Sequence, residues 1–177
     1  RPDIHLILGG PEISHETESQ LLFNVADTIV CGEGDIVFRQ VCQDILDGHP
    51  PVQKVIQGLA PPMDAIVSPY GLYTDDDLAN RVTYVEASRG CPYRCQFCLS
   101  SIDTAVRTVD SQQFFADMGR LIERGARDFK FIDRTFNLNI DFALSIINYF
   151  LHHDTQGFTH HFEMVPDRLP EALREPL

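Results

Sequence analysis

The chain has 177 residues, of which 44% are hydrophobic and 12 are Phe, so its composition excludes wholesale disorder and supports one or two packed domains. Its formal net charge is −12 and no basic patch stands out, which argues against a protein that binds nucleic acid. No apolar run approaches the roughly 20 residues of a membrane span and no signal peptide opens the chain, so we expect no membrane partner.

The first part of the chain alternates strand and helix patterns. Short apolar runs predict strands at Ile4–Leu8 and Thr28–Cys31, and each run stops at glycines. Apolar residues at helical spacing predict a helix over Asp35–Leu46, which Gly48 closes. Strands separated by helices in this way indicate a parallel sheet.

A proline-rich stretch with an acidic run then interrupts the pattern. We therefore divide the chain into a first domain over residues 1–60, a linker over 61–81 and a second domain over 82–177. The run Asp75–Asp77 is interpreted as part of this solvated linker.

The second part restarts the alternation of strands and helices. Asp110 and Asn139 are predicted to cap helices, and Gly125 suits the end of the first of them. Strands are predicted at Val82–Ser88, Phe129–Ile132 and Phe158–Val165.

Three cysteines crowd into the loop that follows the first strand of the second part. Within EASRGCPYRCQFCLSS, Cys91, Cys95 and Cys98 are spaced C-x3-C-x2-C. Three thiolates leave one position open on a metal, which is typical of a catalytic rather than a structural site. Five cysteines in all, three of them clustered, indicate metal or redox chemistry in a reducing cytoplasm. Cys31 and Cys42 are predicted to be core residues.

The cysteine loop, with Phe97 directly before its last cysteine, resembles the signature of the radical S-adenosylmethionine enzymes. In that family three cysteines bind three irons of a 4Fe-4S cluster, S-adenosylmethionine chelates the fourth, and an electron from the cluster cleaves the sulfonium to a 5′-deoxyadenosyl radical. The resemblance implies that Cys91, Cys95 and Cys98 are the iron ligands and that Phe97 lies against the adenine. It also implies an oxidoreductase-type enzyme with an electron donor such as flavodoxin or ferredoxin.

The wider sequence is similar to the cobalamin-associated members of that family, and closest to an uncharacterised subgroup. The similarity rests on VEASRGCPYRCQFCLSS, on KFIDRTFNLN at 130–139 and on HHFEMVPDRLP at 160–170. In that family a cobalamin-binding domain precedes the barrel, and ILGGPEIS and VCGEGD resemble its last segments. Gly9 and Gly10 would then border the cobalamin nucleotide tail. The Asp-x-His-x-x-Gly motif that ligates cobalt in many such domains is absent from the chain.

These resemblances imply an α/β fold: the end of a Rossmann-like cobalamin-binding-type domain, followed by the first half of a (β/α) radical-SAM partial barrel. About three strand–helix units are visible where the family's barrel has six, so we expect a piece of a longer protein, inactive by itself. Its half-barrel would expose an apolar edge, which favours self-association or partial disorder.

Two carboxylates are further candidates for cofactor contacts. Strand alternation places Asp133 on one face with Phe129 and Phe131, and a barrel mouth lies at the carboxyl ends of its strands. Glu163 is predicted to face the barrel interior, where a carboxylate must be paired or functional. The alternative for Asp133 is a loop held by its own hydrogen bonds.

The sequence leaves several functions open. Methyl transfer and rearrangement at an unactivated carbon are both compatible with the residues, with or without cobalamin, and the substrate, a small molecule or a peptide, cannot be identified. A non-enzymatic module is the alternative: either a zinc site completed by His160 or His161, or a redox module on the same three cysteines.

Overall fold

The computed structural model describes residues 4–154 and 157–177, which form two compact units, one ending at Ile66 and the other spanning Val67–Leu177. Both units are built on three-stranded parallel sheets with helices against them. The first unit contains, in chain order, β1 (Ile7–Gly9), β2 (Thr28–Gly32), α1 (Val37–Leu46) and β3 (Val55–Gly58).

In the first unit β2 is the central strand and pairs in parallel with β1 and with β3. Its residues Thr28 to Cys31 are buried, because both neighbours cover its edges and the core covers its faces. The core cluster contains Ile13, Ala26, Ile29 and Cys31. The predicted core position of Cys31 is therefore confirmed, whereas Cys42 on α1 is only half-buried.

The strand β3 was missed by the sequence prediction. It has four residues, of which Val55 and Ile56 are half-buried and Gln57 is exposed, and prolines precede it. Such a short segment shows no alternation of apolar and polar residues that would predict a strand. It is a strand because it pairs with β2.

The second unit is the larger of the two. Its elements are α2 (Asp75–Asn80), β4 (Thr83–Val85), β5 (Ser88–Arg89), β6 (Arg107–Thr108), α3 (Ser111–Glu123), β7 (Asp128–Phe131), α4 (Ile140–His153), β8 (Thr159–His161) and α5 (Glu171–Arg174). The parallel sheet has the order β4-β7-β8, and β5 and β6 form a separate antiparallel ribbon. Aromatic and aliphatic side chains of α3, α4 and β7 form its core, around Phe114, Phe129, Phe131, Ile146 and Phe150.

The segment predicted to be a linker over 61–81 is largely structured. Thr74 begins α2 with a capping box, in which its hydroxyl accepts a hydrogen bond from the Asp77 N–H at 3.1 Å and the Asp77 carboxylate accepts from the Thr74 N–H at 3.0 Å. Leu78 is 4% exposed and lies in the core of the second unit. The acidic run Asp75–Asp77 is thus a helical first turn, where negative charge complements the helix dipole, rather than solvated linker.

The predicted helix caps are confirmed. The Asp110 carboxylate accepts a hydrogen bond from the Gln113 N–H at 2.8 Å, and the Asn139 side chain accepts one from the Phe142 N–H at 3.1 Å. Two strands of this unit are shorter than predicted, because Val82–Ser88 divides into β4 and the start of the ribbon, and Phe158–Val165 keeps only β8.

Two tyrosines cover the outer edge of β4, which among the described strands pairs with β7 alone. The Tyr73 phenol oxygen accepts a hydrogen bond from the Tyr84 N–H at 3.0 Å, and the Tyr70 phenol oxygen accepts one from the Glu86 N–H at 2.9 Å. Both phenols also donate to the carbonyls of the same two residues. Side chains therefore satisfy backbone groups that an edge strand would otherwise expose.

None of the helices in the described ranges combines the length and the apolar character that crossing a membrane requires.

Candidate cofactor sites

The cysteine loop is a closed loop at the carboxyl end of β4. The ribbon of β5 and β6 forms its base, and the Cys91 N–H donates to the Asp103 carbonyl at 2.9 Å. Gly90 has a φ of +98°, and a Cβ there would lie 2.3 Å from the Ala105 carbonyl oxygen. Only glycine fits this position, so the chain can fold back on itself directly before the first cysteine.

The three cysteines differ in exposure. Cys91 is 8% exposed at the base of the loop, Cys98 is half-buried and Cys95 is exposed; all three carry free thiols. A turn links the last two, since the Cys98 N–H donates to the Cys95 carbonyl at 3.0 Å. Within the ranges that the structure describes, no group of three or more His, Cys, Asp or Glu side chains is arranged so that it could hold a metal ion.

The donor set itself fits an iron–sulfur cluster with one open coordination position. Thiolates are the ligands that such clusters use, and three of them lie on one closed loop with a turn between the second and third. A structural zinc site would need a fourth ligand. The three thiols therefore remain the predicted ligands of such a cluster.

Phe97 lies in the same loop, and 94% of its surface is exposed. A large aromatic ring is costly to leave in water, and an exposed ring beside Cys98 is available to stack on a ligand. Its role against an adenine stays a prediction.

Asp133 follows β7 and is buried, with 1% of its surface exposed. Its carboxylate accepts a hydrogen bond from the Ala87 N–H at 3.0 Å and one from the Ser88 hydroxyl at 2.6 Å. Burial raises the pKa of this carboxyl, while the hydrogen bonds from Ala87 and Ser88 lower it. Asp133 thus fastens the segment between β4 and the cysteine loop to β7, which is a positioning role; the cofactor contact predicted for it stays a prediction.

The alternation along β7 explains why Asp133 is buried. Phe129 and Phe131 are 1% and 0% exposed and pack in the core with α3 and α4, and Asp133 continues on their side of the strand. The predicted grouping of these three residues on one face is confirmed, but that face is the one that the helices cover. Ile132 and Arg134, on the other side, line an open cavity.

The segment from Asp133 to Asn137 follows β7 and is hydrogen-bonded to the segments that follow β4 and β8. The Asn137 amide donates to the Val165 carbonyl at 2.8 Å and accepts from the Val165 N–H at 2.9 Å, beyond β8. Between them Thr135 is 3% exposed, and its hydroxyl oxygen lies 3.4 Å from the Cys91 sulfur. Sequence reasoning missed Thr135, because it lies in a turn beyond β7, where strand alternation no longer predicts which side chains are buried.

The cavity next to the cysteine loop has a volume of about 250 Å³. Side chains of both charges line it, and the Arg89 guanidinium donates to both carboxylate oxygens of Glu86, at 2.8 Å each. The other lining residues include Ser88, Ser100, Asp103 and Arg134. A ligand with both an ammonium and a carboxylate would find partners of both signs here.

Glu163 lies beyond β8 and pairs with Arg134, whose guanidinium is 3.5 Å from a Glu163 carboxylate oxygen. Both side chains are partly exposed, so the pair by itself contributes little stability. Because Arg134 also lines the cavity, a ligand could replace either partner of this pair. The cofactor contact of Glu163 stays a prediction.

The two histidines of β8 have different surroundings. The His160 ring stacks between Phe129 and Phe162, with ring centroids 5.9 Å and 5.7 Å away. Desolvation by burial lowers its pKa, and the charge of Asp154 acts in the opposite direction. His161 is exposed. The stacking packs His160 against aromatic side chains of the core, and its part in a zinc site stays a prediction.

Gly9 ends β1 in the first unit and Gly10 follows it, and both line a cleft of about 190 Å³ at the carboxyl edge of the parallel sheet. Gly10 has a φ of +104° and has open space where a Cβ would point. The other lining residues are Ile7, Leu8, Val30, Gly32, Gly34 and Phe38. The position is the one where open parallel sheets bind ligands.

Comparison with known proteins supports the predicted α/β fold but does not show to which family the chain belongs. No family model matches the chain. A curated relative, an uncharacterized methyltransferase of Pyrococcus horikoshii, is 25% identical over 170 residues, which cover 81% of this chain and 36% of the relative. The chain thus spans about a third of the length of this relative.

Solved structures of the radical S-adenosylmethionine methyltransferase TsrM from Kitasatospora setae have a similar fold. One, with cobalamin and a [4Fe-4S] cluster bound, aligns with a TM-score of 0.66 and 17% identity over 99% of this chain and 40% of that one. Another, with tryptophan substrate and the analogue aza-SAM bound, aligns with a TM-score of 0.65 and 16% identity over 97% of this chain and 39% of that one. The predicted α/β fold class is confirmed by this likeness.

Proposed function

We propose that the chain is part of a radical S-adenosylmethionine enzyme that holds a 4Fe-4S cluster on Cys91, Cys95 and Cys98. The observation that carries the proposal is the C-x3-C-x2-C loop, closed on itself at the carboxyl end of the first strand of a parallel sheet. Active sites of parallel β/α architectures lie at that end. The open ligand position of a three-thiolate site supplies the place for a cosubstrate.

The comparisons favour methyl transfer over rearrangement. The curated relative is described as a methyltransferase, and the TsrM structures are of a methyltransferase with cobalamin. The nucleotide tail of cobalamin would lie against Gly9 and Gly10 in the present protein, because the cleft lies at the sheet edge and there is open space where a Cβ of Gly10 would point. We therefore propose cobalamin as the second cofactor of the longer protein.

We assign a different role to each of the residues around the cysteine loop. When bound, the cluster supplies the electron that cleaves the sulfonium of S-adenosylmethionine, and a donor such as flavodoxin or ferredoxin provides that electron. Asp133 holds the start of the loop through Ala87 and Ser88. Arg134 and Glu163 orient the amino-acid end of the cosubstrate, and Phe97 covers its adenine.

The test is anaerobic loading of the chain with iron and sulfide, followed by metal analysis and electron paramagnetic resonance of the reduced sample. We expect about four irons and four sulfides per chain, and Cys95→Ser is expected to abolish this content. Cys42→Ser is the matched control, because Cys42 lies on α1 in the first unit, and it should load like the wild type.

Two results would contradict the proposal. One tight zinc and no iron in the wild-type chain would support the non-enzymatic zinc module instead. A cluster whose spectrum does not change on addition of S-adenosylmethionine would support a simple redox module, because the open position would then not receive the cosubstrate.

A further inference from the structure

Thr135 places a buried hydroxyl next to a predicted cluster ligand. Its oxygen lies 3.4 Å from the Cys91 sulfur, a hydrogen-bonding distance for sulfur, and the two residues are 3% and 8% exposed. Water therefore has little access to the contact, and a hydrogen bond between the two side chains is not in competition with solvent.

The backbone on both sides of Thr135 is anchored. Two residues before it, Asp133 binds Ala87 and Ser88, and two residues after it, Asn137 makes two hydrogen bonds to Val165. Thr135 is thus held between neighbouring strand ends. A donor fixed in this way does not have to reorganise when the charge on its acceptor changes.

We propose that Thr135 donates its hydroxyl proton to the Cys91 sulfur and thereby raises the reduction potential of the cluster. The inference rests on the proposed function. A cluster-bound thiolate carries no proton, so the threonine hydroxyl must be the donor. Reduction adds one electron from a low-potential donor and transfers no proton; the added negative charge strengthens the hydrogen bond, which favours the reduced state.

The experiment compares Thr135→Val with Thr135→Ser in the loaded chain, using a redox titration followed by electron paramagnetic resonance. Valine keeps the shape and removes the hydroxyl, so we expect the reduction equilibrium to become about tenfold less favourable, or about 59 mV more negative for one electron. Serine keeps the donor and should stay within about threefold of the wild type.

Thr83→Val is the matched control. Thr83 is equally buried, at 1% exposure, but it begins β4, whereas the cysteine loop follows the other end of that strand. We expect it to leave the potential unchanged. Circular dichroism and thermal unfolding of each apo-variant separate a change in potential from a change in folding.

The possible failures can be told apart. A wild-type chain that takes up no cluster overturns the proposed function and this inference with it. A cluster that forms in Thr135→Val with the potential of the wild type overturns only the inference and leaves the proposed function intact. The inference would also be overturned if Thr135→Ser changed the reduction potential as much as Thr135→Val, because the hydroxyl donor would then have no effect.

Discussion

The Asp133 carboxylate accepts a hydrogen bond of 2.6 Å from the Ser88 hydroxyl, across 45 residues of sequence. A second hydrogen bond, from the Ala87 N–H, makes the same carboxylate the link between β7 and the segment that leads into the cysteine loop. The position of the first cysteine therefore depends on a residue that follows the next parallel strand as well as on its own loop.

Replacing Asp133 tests this link. We expect Asp133→Ala to lower the free energy of unfolding by about 2–4 kcal/mol, because the buried Ala87 N–H and the Ser88 hydroxyl lose their acceptor. Asp133→Asn keeps one acceptor oxygen and should cost about half as much. Urea unfolding measures both. Equal losses in the two variants would show that the carboxylate acts through something other than these hydrogen bonds.

Position 90 requires glycine for two reasons: the Ala105 backbone lies close to it, and its φ is +98°. We expect Gly90→Ala to destabilise the second unit by about 3 kcal/mol, since the new Cβ would lie 2.3 Å from the Ala105 carbonyl oxygen. The control is Gly125→Ala, at a φ of +106° with open space around it, which should cost only about 1 kcal/mol. Thermal unfolding compares the two, and similar costs would show that the loop can open to accept a side chain.

Tyr70 and Tyr73 protect two amides on the edge of β4. We expect Tyr70→Phe to accelerate hydrogen exchange of the Glu86 N–H and to cost about 1–2 kcal/mol, because the phenol is the acceptor for that amide and is partly buried. Tyr73→Phe should act on the Tyr84 N–H instead, with a smaller cost at its exposed site. Faster exchange at both amides in either variant would contradict separate roles.

Local signals in the sequence were sufficient for the helix caps and for the middle of most strands. Asp110 and Asn139 each bind an N–H three residues away, so the information lies within one helical turn. Phe129 and Phe131 likewise lie on the same buried face of β7, as the alternation of side chains within one strand predicts.

Contacts between distant residues could not be read in the same way. Thr135 and Cys91 are 44 residues apart, and Tyr70 and Glu86 are 16 apart with a helix and a strand between them. Nor does alternation within β7 reveal that Asp133, two residues beyond the strand, is buried and bonded to Ala87 and Ser88. Such contacts depend on how the strands are placed side by side, which a single sequence does not reveal.

His160 makes the stability of the second unit depend on pH. Burial lowers the pKa of its imidazole in the folded chain, so the unfolded chain binds a proton more readily. The stabilisation is fully present above the unfolded value of about 6.5 and is lost as the pH falls through the folded value. We therefore expect the free energy of unfolding to decrease between about pH 7 and pH 5, as measured by urea unfolding across that range.

The variant His160→Phe removes the titrating group and keeps an aromatic ring between Phe129 and Phe162. We expect it to flatten the pH dependence of unfolding, whereas His161→Phe, at the exposed neighbouring position, should leave the slope as in the wild type. Carboxylates elsewhere in the chain contribute to acid unfolding in all three proteins equally, so the difference between the curves isolates His160. A His160→Phe curve with the wild-type slope would show that this imidazole does not lose its proton on folding.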